Sequence, residues 1–491
     1  MKNLLLNLKK LPEAVWPLLI TIKDMALKRS YLWVILLFAF LTRMYSLGDV
    51  GASKQELENI ERIFSMPGSF LGKGTSTNLY YLLQNLWGRA FGFSVLNLRI
   101  FSVLLSILGL YIFFKFTEEW FNRKLAYIST FLLSISSFHI LLSRNISHEV
   151  LYPVIIISAL HFLTLAYRNK KLIYFVLAGM LLGLSLYTSE ISLVLVLVFF
   201  ITGIYFYSKN RKFFFSFIRE KTIVIFSGVT VALPFFYSLF VNPGNFLSNF
   251  TYKPDIIFDN ARSLVLSVIY TAPQEFMYNI GTDKVFDPFI EITFILGLIY
   301  IAMRVKRRKF YFLVTWLSLL TVIIIFKNIF SLGSFIYTAP IIFIMSARIQ
   351  IYVLDKWFKT FPFNKFARIV MVLGIGFLFS LSLSYNYKKI FQAWIKFPER
   401  KFVYNVQPTT YNLKDEKAYI YKAGYSKDTV ATATKVKKGN LSELDKLNDI
   451  KGNKKANIFT SPESVFKVKS SLSDVRWKEY KGENIVLLKG E

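Results

Sequence analysis

The chain has no cysteine, so neither a disulfide framework nor a thiolate site is open to it, even in segments outside a membrane. Charge is scarce as well: Asp, Glu, Lys and Arg make up 18% of 491 residues, against 54% hydrophobic residues. That balance excludes an ordinary soluble protein and defines a polytopic membrane protein. Acidic residues are few, 30 against 60 Lys and Arg, and the net charge is +30. Such an excess could mark a nucleic-acid partner, but the cations fall mainly in short loops between apolar runs and read as topology signals, so no nucleic acid is expected. No Gly-rich phosphate loop and no internal repeat occurs. The first 30 residues scatter Lys2, Lys9, Lys10, Lys23, Lys28 and Arg29 among leucines and two prolines, unlike a cleaved signal peptide. They are expected to form an amphipathic arm on the cytoplasmic face.

Apolar runs of roughly 17 to 22 residues are long enough to span a bilayer. They occur at about 31–47, 95–115, 125–143, 148–167, 172–188, 190–208, 222–240, 286–303, 309–326, 328–347 and 367–386, about eleven spans in all. The run at 328–347 is the weakest, interrupted by Gly333 and Pro340. Alternate connections (the N-terminal arm, 115–124, 168–171, 209–221, 304–309 and 348–368) hold most of the cations. The positive-inside rule therefore predicts a multi-pass protein of the plasma (inner) membrane, N-terminus cytoplasmic and C-terminus outside. The predicted fold is an all-α membrane domain over 31–386, with outer loops 48–94 and 241–285. A small extracytoplasmic α/β domain is predicted over 387–491. In that domain, alternation at 417–421 and a run at 456–459 read as strands, Ser461-Pro462-Glu463 as a helix start, and 475–480 with 484–488 as a hairpin.

Functional residues gather in the first outer loop. Leu79, Leu82, Leu83, Leu86, Trp87, Ala90 and Phe91 follow helical spacing and predict an interfacial helix; Leu57, Ile60 and Phe64 do so more weakly, placing Glu56 near the start of a helix over 56–65. Glu58, Glu61 and Arg62 read as its solvated face. Arg99 lies a few residues inside the second span, where an ionisable group costs roughly 2.5 kcal/mol or more unless paired or facing a cavity. Arg144, in the turn Ser143-Arg144-Asn145-Ile146-Ser147-His148-Glu149, suits a lipid phosphate, or equally snorkels to head groups. His139, His148 and His161 are the only three histidines; their spacing matches no common metal-ligand set, and hydrogen bonding to backbone is the commoner role. The second outer loop holds Gln274, Glu275, Tyr278, Asn279, Asp283 and Lys284, which suit a sugar or acceptor, or simply water.

Leu47-Gly48, Glu56, Leu79-Tyr80-Tyr81-Leu82-Leu83, Leu98-Arg99 and Ser143-Arg144 follow one another at spacings that resemble the GT-C class of membrane glycosyltransferases. The likeness is to bacterial relatives of the dolichyl-phosphate-mannose protein mannosyltransferases and of the aminoarabinose transferase that modifies lipid A, over about residues 30–300. It implies transfer of a sugar from a polyprenyl-phosphate donor to a lipid, glycan or protein acceptor at the outer face, within surrounding membrane lipids. It also implies a carboxylate base and a cation on the departing phosphate. By the resemblance Glu56 or Asp49 is the base and Arg99, Arg144 and His148 bind donor phosphate; Lys54, Gln55, Tyr80, Tyr81, Asp283 and Lys284 are candidates for substrate contact. The donor carries its own leaving group, so no cofactor is required, while a divalent cation stays open. Two departures stand out: Gln55-Glu56 replaces the family's Asp-Glu, and Ser76-Thr77-Asn78 replaces a His-Pro-Pro-like run. An amide is no general base. Either Glu56 or Asp49 takes that role, or the chain is an inactive scaffold or a polyprenyl-lipid binding or transport protein.

Overall fold

The structure is a computed structural model and describes residues 15–49, 51–66, 77–192, 218–241, 243–275, 277–305, 307–394, 417–421, 425, 427–434, 440–444, 456–460, 464–472, 475–480 and 486–490. Helix α1 (Val15–Met44) takes in the second half of the expected arm and runs on through the first span. The first loop carries α2 (Lys54–Ser65) and α3 (Asn78–Phe91). The membrane domain continues with α4 (Val95–Trp120), α5 (Arg123–Ile135), α6 (Ser137–Ser143), α7 (Leu151–Asn169), α8 (Leu172–Ser185) and α9 (Ile218–Val241). After α10 (Pro254–Ile269) of the second loop come α11 (Pro288–Ala302), α12 (Arg308–Ile325), α13 (Phe335–Thr360) and α14 (Lys365–Tyr387), which passes into a π-helical turn at Lys388–Trp394. Every expected span coincides with a helix except 190–208, most of which lies outside the described residues, as do residues 1–14 of the arm.

By length and composition five of these helices can cross a membrane, and four shorter apolar ones stand beside them. The chain is an integral membrane protein. The span expected at 125–143 is broken: α5 and α6 meet at 64°. Breaking a helix in hydrocarbon exposes backbone polar groups that must find partners. Here Ser137 N–H donates to Asn386 Oδ1 at 2.8 Å, and Arg43 Nη1 donates to Ser134 O at 3.3 Å. The run that reads weakest, 328–347, becomes the most enclosed helix: 94% of the apolar window of Leu332–Thr360 is buried, against 6% for Lys365–Ala393. An interior helix sees protein instead of lipid, so it tolerates Pro340 and polar side chains. Helices α8 and α9 approach closely at Gly179, where an added Cβ would stand 2.4 Å from Val224 O.

The C-terminal part forms one mixed sheet of β1 (Ala418–Tyr421), β2 (Leu441–Glu443), β3 (Asn457–Thr460), β4 (Trp477–Tyr480) and β5 (Val486–Gly490), in the order β2-β1-β3-β5-β4. Strand β1 runs parallel to β2 and β3; β3–β5 and β5–β4 are antiparallel. The sheet carries α15 (Lys427–Thr434) and α16 (Val465–Ser471). Strands at 418–421 and 457–460 and the final hairpin follow the expected pattern; the three-residue β2 and the short α15 have no such signal. The expected helix start at 461–463 lies outside the described residues. This unit sits against α2: Thr429 Oγ1 donates to Glu61 Oε2 at 2.5 Å, and Val430 and Ile420 share a core with Leu57 and Ile60.

Candidate active site

The site is built on the start of α2. Ser53-Lys54-Gln55-Glu56 forms a capping box: Ser53 Oγ accepts from Glu56 N–H at 3.3 Å, and Ser53 N–H donates to Glu56 Oε2 at 3.0 Å. Leu57, Ile60 and Ile63 then turn inward, as the helical spacing requires. The other face is not simply solvated: Glu61 binds Thr429, and Arg62 reaches the Tyr81 hydroxyl at 3.5 Å.

Glu56 and Arg99 are found together, buried to 0% and 1% exposure. Arg99 Nε donates to Oε1 at 2.8 Å and Nη2 to Oε2 at 2.7 Å, a two-pronged fork. Ile146 N–H donates to Oε1 at 3.1 Å. With the Ser53 N–H, both lone pairs of each Glu56 oxygen are engaged, so this carboxylate has no acceptor site to turn toward a substrate. Arg99 spends two of its three remaining N–H donors on Leu47 O (3.1 Å) and Gly51 O (2.7 Å). Arg144 likewise donates to the carbonyls of Thr42, Arg43, Tyr45 and Ser46, closing the negative C-terminal end of α1. In the structure, then, the carboxylate expected as base and the two guanidinium groups expected as phosphate partners are each engaged by protein groups.

The neighbouring face is different. Gln55 Nε2 donates to the Tyr278 hydroxyl at 3.4 Å, and that hydroxyl donates to Glu149 Oε1 at 3.2 Å. Burial, followed by the Glu149 carboxylate, holds the Tyr278 phenol well above its ordinary pKa, so it stays a donor. Glu149 Oε2 also accepts from Ser147 and faces His148 Nδ1 at 3.7 Å; His148 lies beside the Tyr81 ring, 6.1 Å between centroids. Gly333 closes this corner: an added Cβ would come within 2.8 Å of Glu149 Oε1 and 3.1 Å of Tyr278 Cζ. Behind it, Glu275 accepts from Leu332 N–H (3.0 Å) and Ser331 Oγ (3.0 Å). Burial pushes the Glu275 carboxyl up, those two donors pull it down, and nearby Glu149 adds to the net rise. Asn145 pins the two loops together through Met277 O at 2.8 Å, and Asn59 ties α2 to Ile146 O at 2.7 Å.

Other candidates separate. Asp49 and Lys54 are exposed at the rim, and Asp49 makes no hydrogen bond or ion pair among the described residues. Tyr80 is buried, sharing its hydroxyl with Ser102 (2.8 Å) and Gln84 (2.8 Å); Tyr81 donates to Asn59 Oδ1 at 2.7 Å. Asp283 binds Tyr385 (2.7 Å) and Lys389 (3.1 Å), joining the second loop to the last helix, and Lys284 pairs with Glu291 in the first turn of α11. His139 accepts from Arg43 at 2.7 Å in place of the expected backbone bond, provided its Nδ1 is unprotonated. Among the described residues no three His, Cys, Asp or Glu side chains converge as a metal site needs. Glu149 and Tyr278 were visible only as members of polar loops; the Ser53-x-x-Glu56 spacing of a capping box, which the periodicity of 56–65 did not bring out, is the signal that would have tied Glu56 to a helix cap.

Apolar helices around two membrane-surface loops, with a mixed sheet seated on the first of them, define the GT-C fold of membrane glycosyltransferases. The family model of the dolichyl-phosphate-mannose-protein mannosyltransferases matches residues 77–239, and the chain resembles that branch of the class. Among solved structures, ArnT from Cupriavidus metallidurans bound to undecaprenyl phosphate superimposes with a TM-score of 0.53 at 12% identity, over 94% of this chain and 98% of that one. The oligosaccharyltransferase AglB from Archaeoglobus fulgidus, in complex with an inhibitory peptide and a dolichol-phosphate, gives 0.51 at 12% identity, over 95% and 74%. A search of curated protein sequences returns no match.

Proposed function

We propose that this protein is a membrane glycosyltransferase that moves a sugar from a polyprenyl-phosphate donor to a lipid, glycan or protein acceptor. In this reading the reaction occurs on the side carrying loops 48–94 and 241–285, with the N-terminus cytoplasmic and the C-terminal sheet outside. Structures of this fold hold undecaprenyl phosphate and dolichol-phosphate, which supports the donor class. The carrying observation is that Gln55 and Glu149 converge on one tyrosine hydroxyl. Position 55 is where the resemblance puts an aspartate, and Glu149 is the carboxylate two hydrogen bonds from it, through the Tyr278 hydroxyl.

In this mechanism the bond between the anomeric carbon and the phosphate oxygen breaks, and the phosphate leaves with the electron pair. The acceptor heteroatom bonds to the anomeric carbon through an oxocarbenium-like transition state, and its proton passes to Glu149. Two cations offset the charge on the departing phosphate: Lys54, beside Gln55 at the positive end of α2, and Lys327, whose field reaches both Glu149 and Glu275. Glu56 and Arg99 position the loop, and Asp49 is an exposed carboxylate at its rim.

The test is transfer of labelled sugar from a panel of polyprenyl-phosphate sugars by purified protein. Glu149→Gln should lower transfer by about 10²-fold or more while donor binding persists; Asp49→Asn should keep it. Loss confined to Asp49→Asn moves the base there. Gln55 favours a second reading, a lipid-binding scaffold without chemistry, and donor binding with no transfer from any donor would establish it.

A further inference from the structure

At the end of the bundle opposite the candidate site, a cavity of about 330 Å³ opens between the α4–α5 turn, the α11–α12 turn and α13. It is lined by Phe121, Asn122, Arg307, Lys309, Phe310 and Arg348. Three cations thus face one hollow, and a fourth, Arg304, stands beside it, stacked on Tyr300 (4.4 Å) and Tyr352 (5.3 Å). Arg348 reaches the Tyr300 hydroxyl at 3.4 Å, and its buried Nε has no hydrogen-bond partner among the described residues. None of the four forms an ion pair with a carboxylate among those residues. The acidic side chains nearby are already spoken for, Glu118 by Lys115 and Arg123, Glu119 by Arg168. Asp355, two turns further along α13, is exposed and unpaired among the described residues.

Cations that merely set membrane topology splay into water at helix ends. Here Arg307, Lys309 and Arg348 line one concavity together with Phe121 and Phe310, the Lys309 ammonium donating to Trp120 O at its edge, which fits an anion attached to an apolar body. We propose that this pocket binds a phosphate group, carried by an anionic membrane lipid or by a soluble phosphate. Arg307 and Arg348 supply forked donors, Lys309 a point charge, and Phe121 and Phe310 the apolar floor.

The experiment is lipid retention by the full chain, read by native mass spectrometry from micelles doped equally with phosphatidylglycerol and phosphatidylcholine, with and without inorganic phosphate. Phosphatidylglycerol should be retained in preference. Arg307→Gln and Lys309→Gln, at exposed positions, should each weaken retention about five-fold. Lys171→Gln, an exposed cation in the turn next to Arg168 at the same end of the bundle, should not. Inorganic phosphate binding that is lost in the same two variants, without lipid preference, supports the pocket and identifies a soluble ligand. Equal loss in Lys171→Gln, or no response to either phosphate source, overturns the proposal.

Discussion

Neutralising Glu56 separates a structural role from a catalytic one. The Glu56–Arg99 fork, the two backbone N–H groups on the carboxylate and the two carbonyls on the guanidinium join the end of α1, the cap of α2, α4 and the turn at Ile146. Glu56→Gln leaves Arg99 charged, 1% exposed and without its counter-ion. Removing one partner of such a pair costs about 3–5 kcal/mol. At 1.36 kcal/mol per factor of ten, that is about two to three and a half orders of magnitude in local opening. The assay is amide hydrogen exchange on residues 54–65 of the purified protein, with transfer activity measured in parallel. Exchange there should accelerate by a factor of 10² or more, approximately. The double variant Glu56→Gln/Arg99→Gln should recover part of the protection, because no bare charge remains. Unchanged exchange in Glu56→Gln with transfer abolished would refute the structural assignment and return Glu56 to the chemistry.

Gly333→Ala should lower transfer by about ten-fold or more, because the new Cβ meets Glu149 and Tyr278 directly; turnover assays on protein with unchanged thermal stability check it. Thr429→Val removes the hydrogen bond to Glu61 and should loosen the C-terminal sheet from α2 by about 1 kcal/mol, visible as faster exchange in 427–434. The Asp283 carboxyl is raised by burial but lowered further by Lys389 and Tyr385, so its folded pKa lies below the ordinary aspartate value. Its contribution is therefore complete above the unfolded value and disappears as pH falls through the folded one. Protection of residues 280–287 should drop only in that acidic window, and in Asp283→Asn the acid-dependent step should vanish.

Composition and the spacing of apolar runs determined the membrane class, and helical periodicity in the loops located α2 and α3, because burial in lipid or at its surface leaves a periodic trace within a single segment. Alternation at 417–421 located β1, a short run at 456–459 located β3 and two segments around a turn located the final hairpin, while β2 is too short to leave a pattern. The enclosure of α13 was hidden, since an interior helix is not required to be uniformly apolar. The break at Ser136 was equally invisible; its freed backbone groups are satisfied by Asn386 and Arg43, far away in sequence. So it was with the site. The chain pointed to Glu56, Arg99 and Arg144 as isolated charges near the outer face, but only the tertiary structure decided that the first two bind each other and the third binds the end of α1. It also decided that Gln55, Glu149 and Tyr278, from three separate segments, meet at one hydroxyl. Which charges cancel and which remain for chemistry depends on distances across the fold, and no local pattern records those.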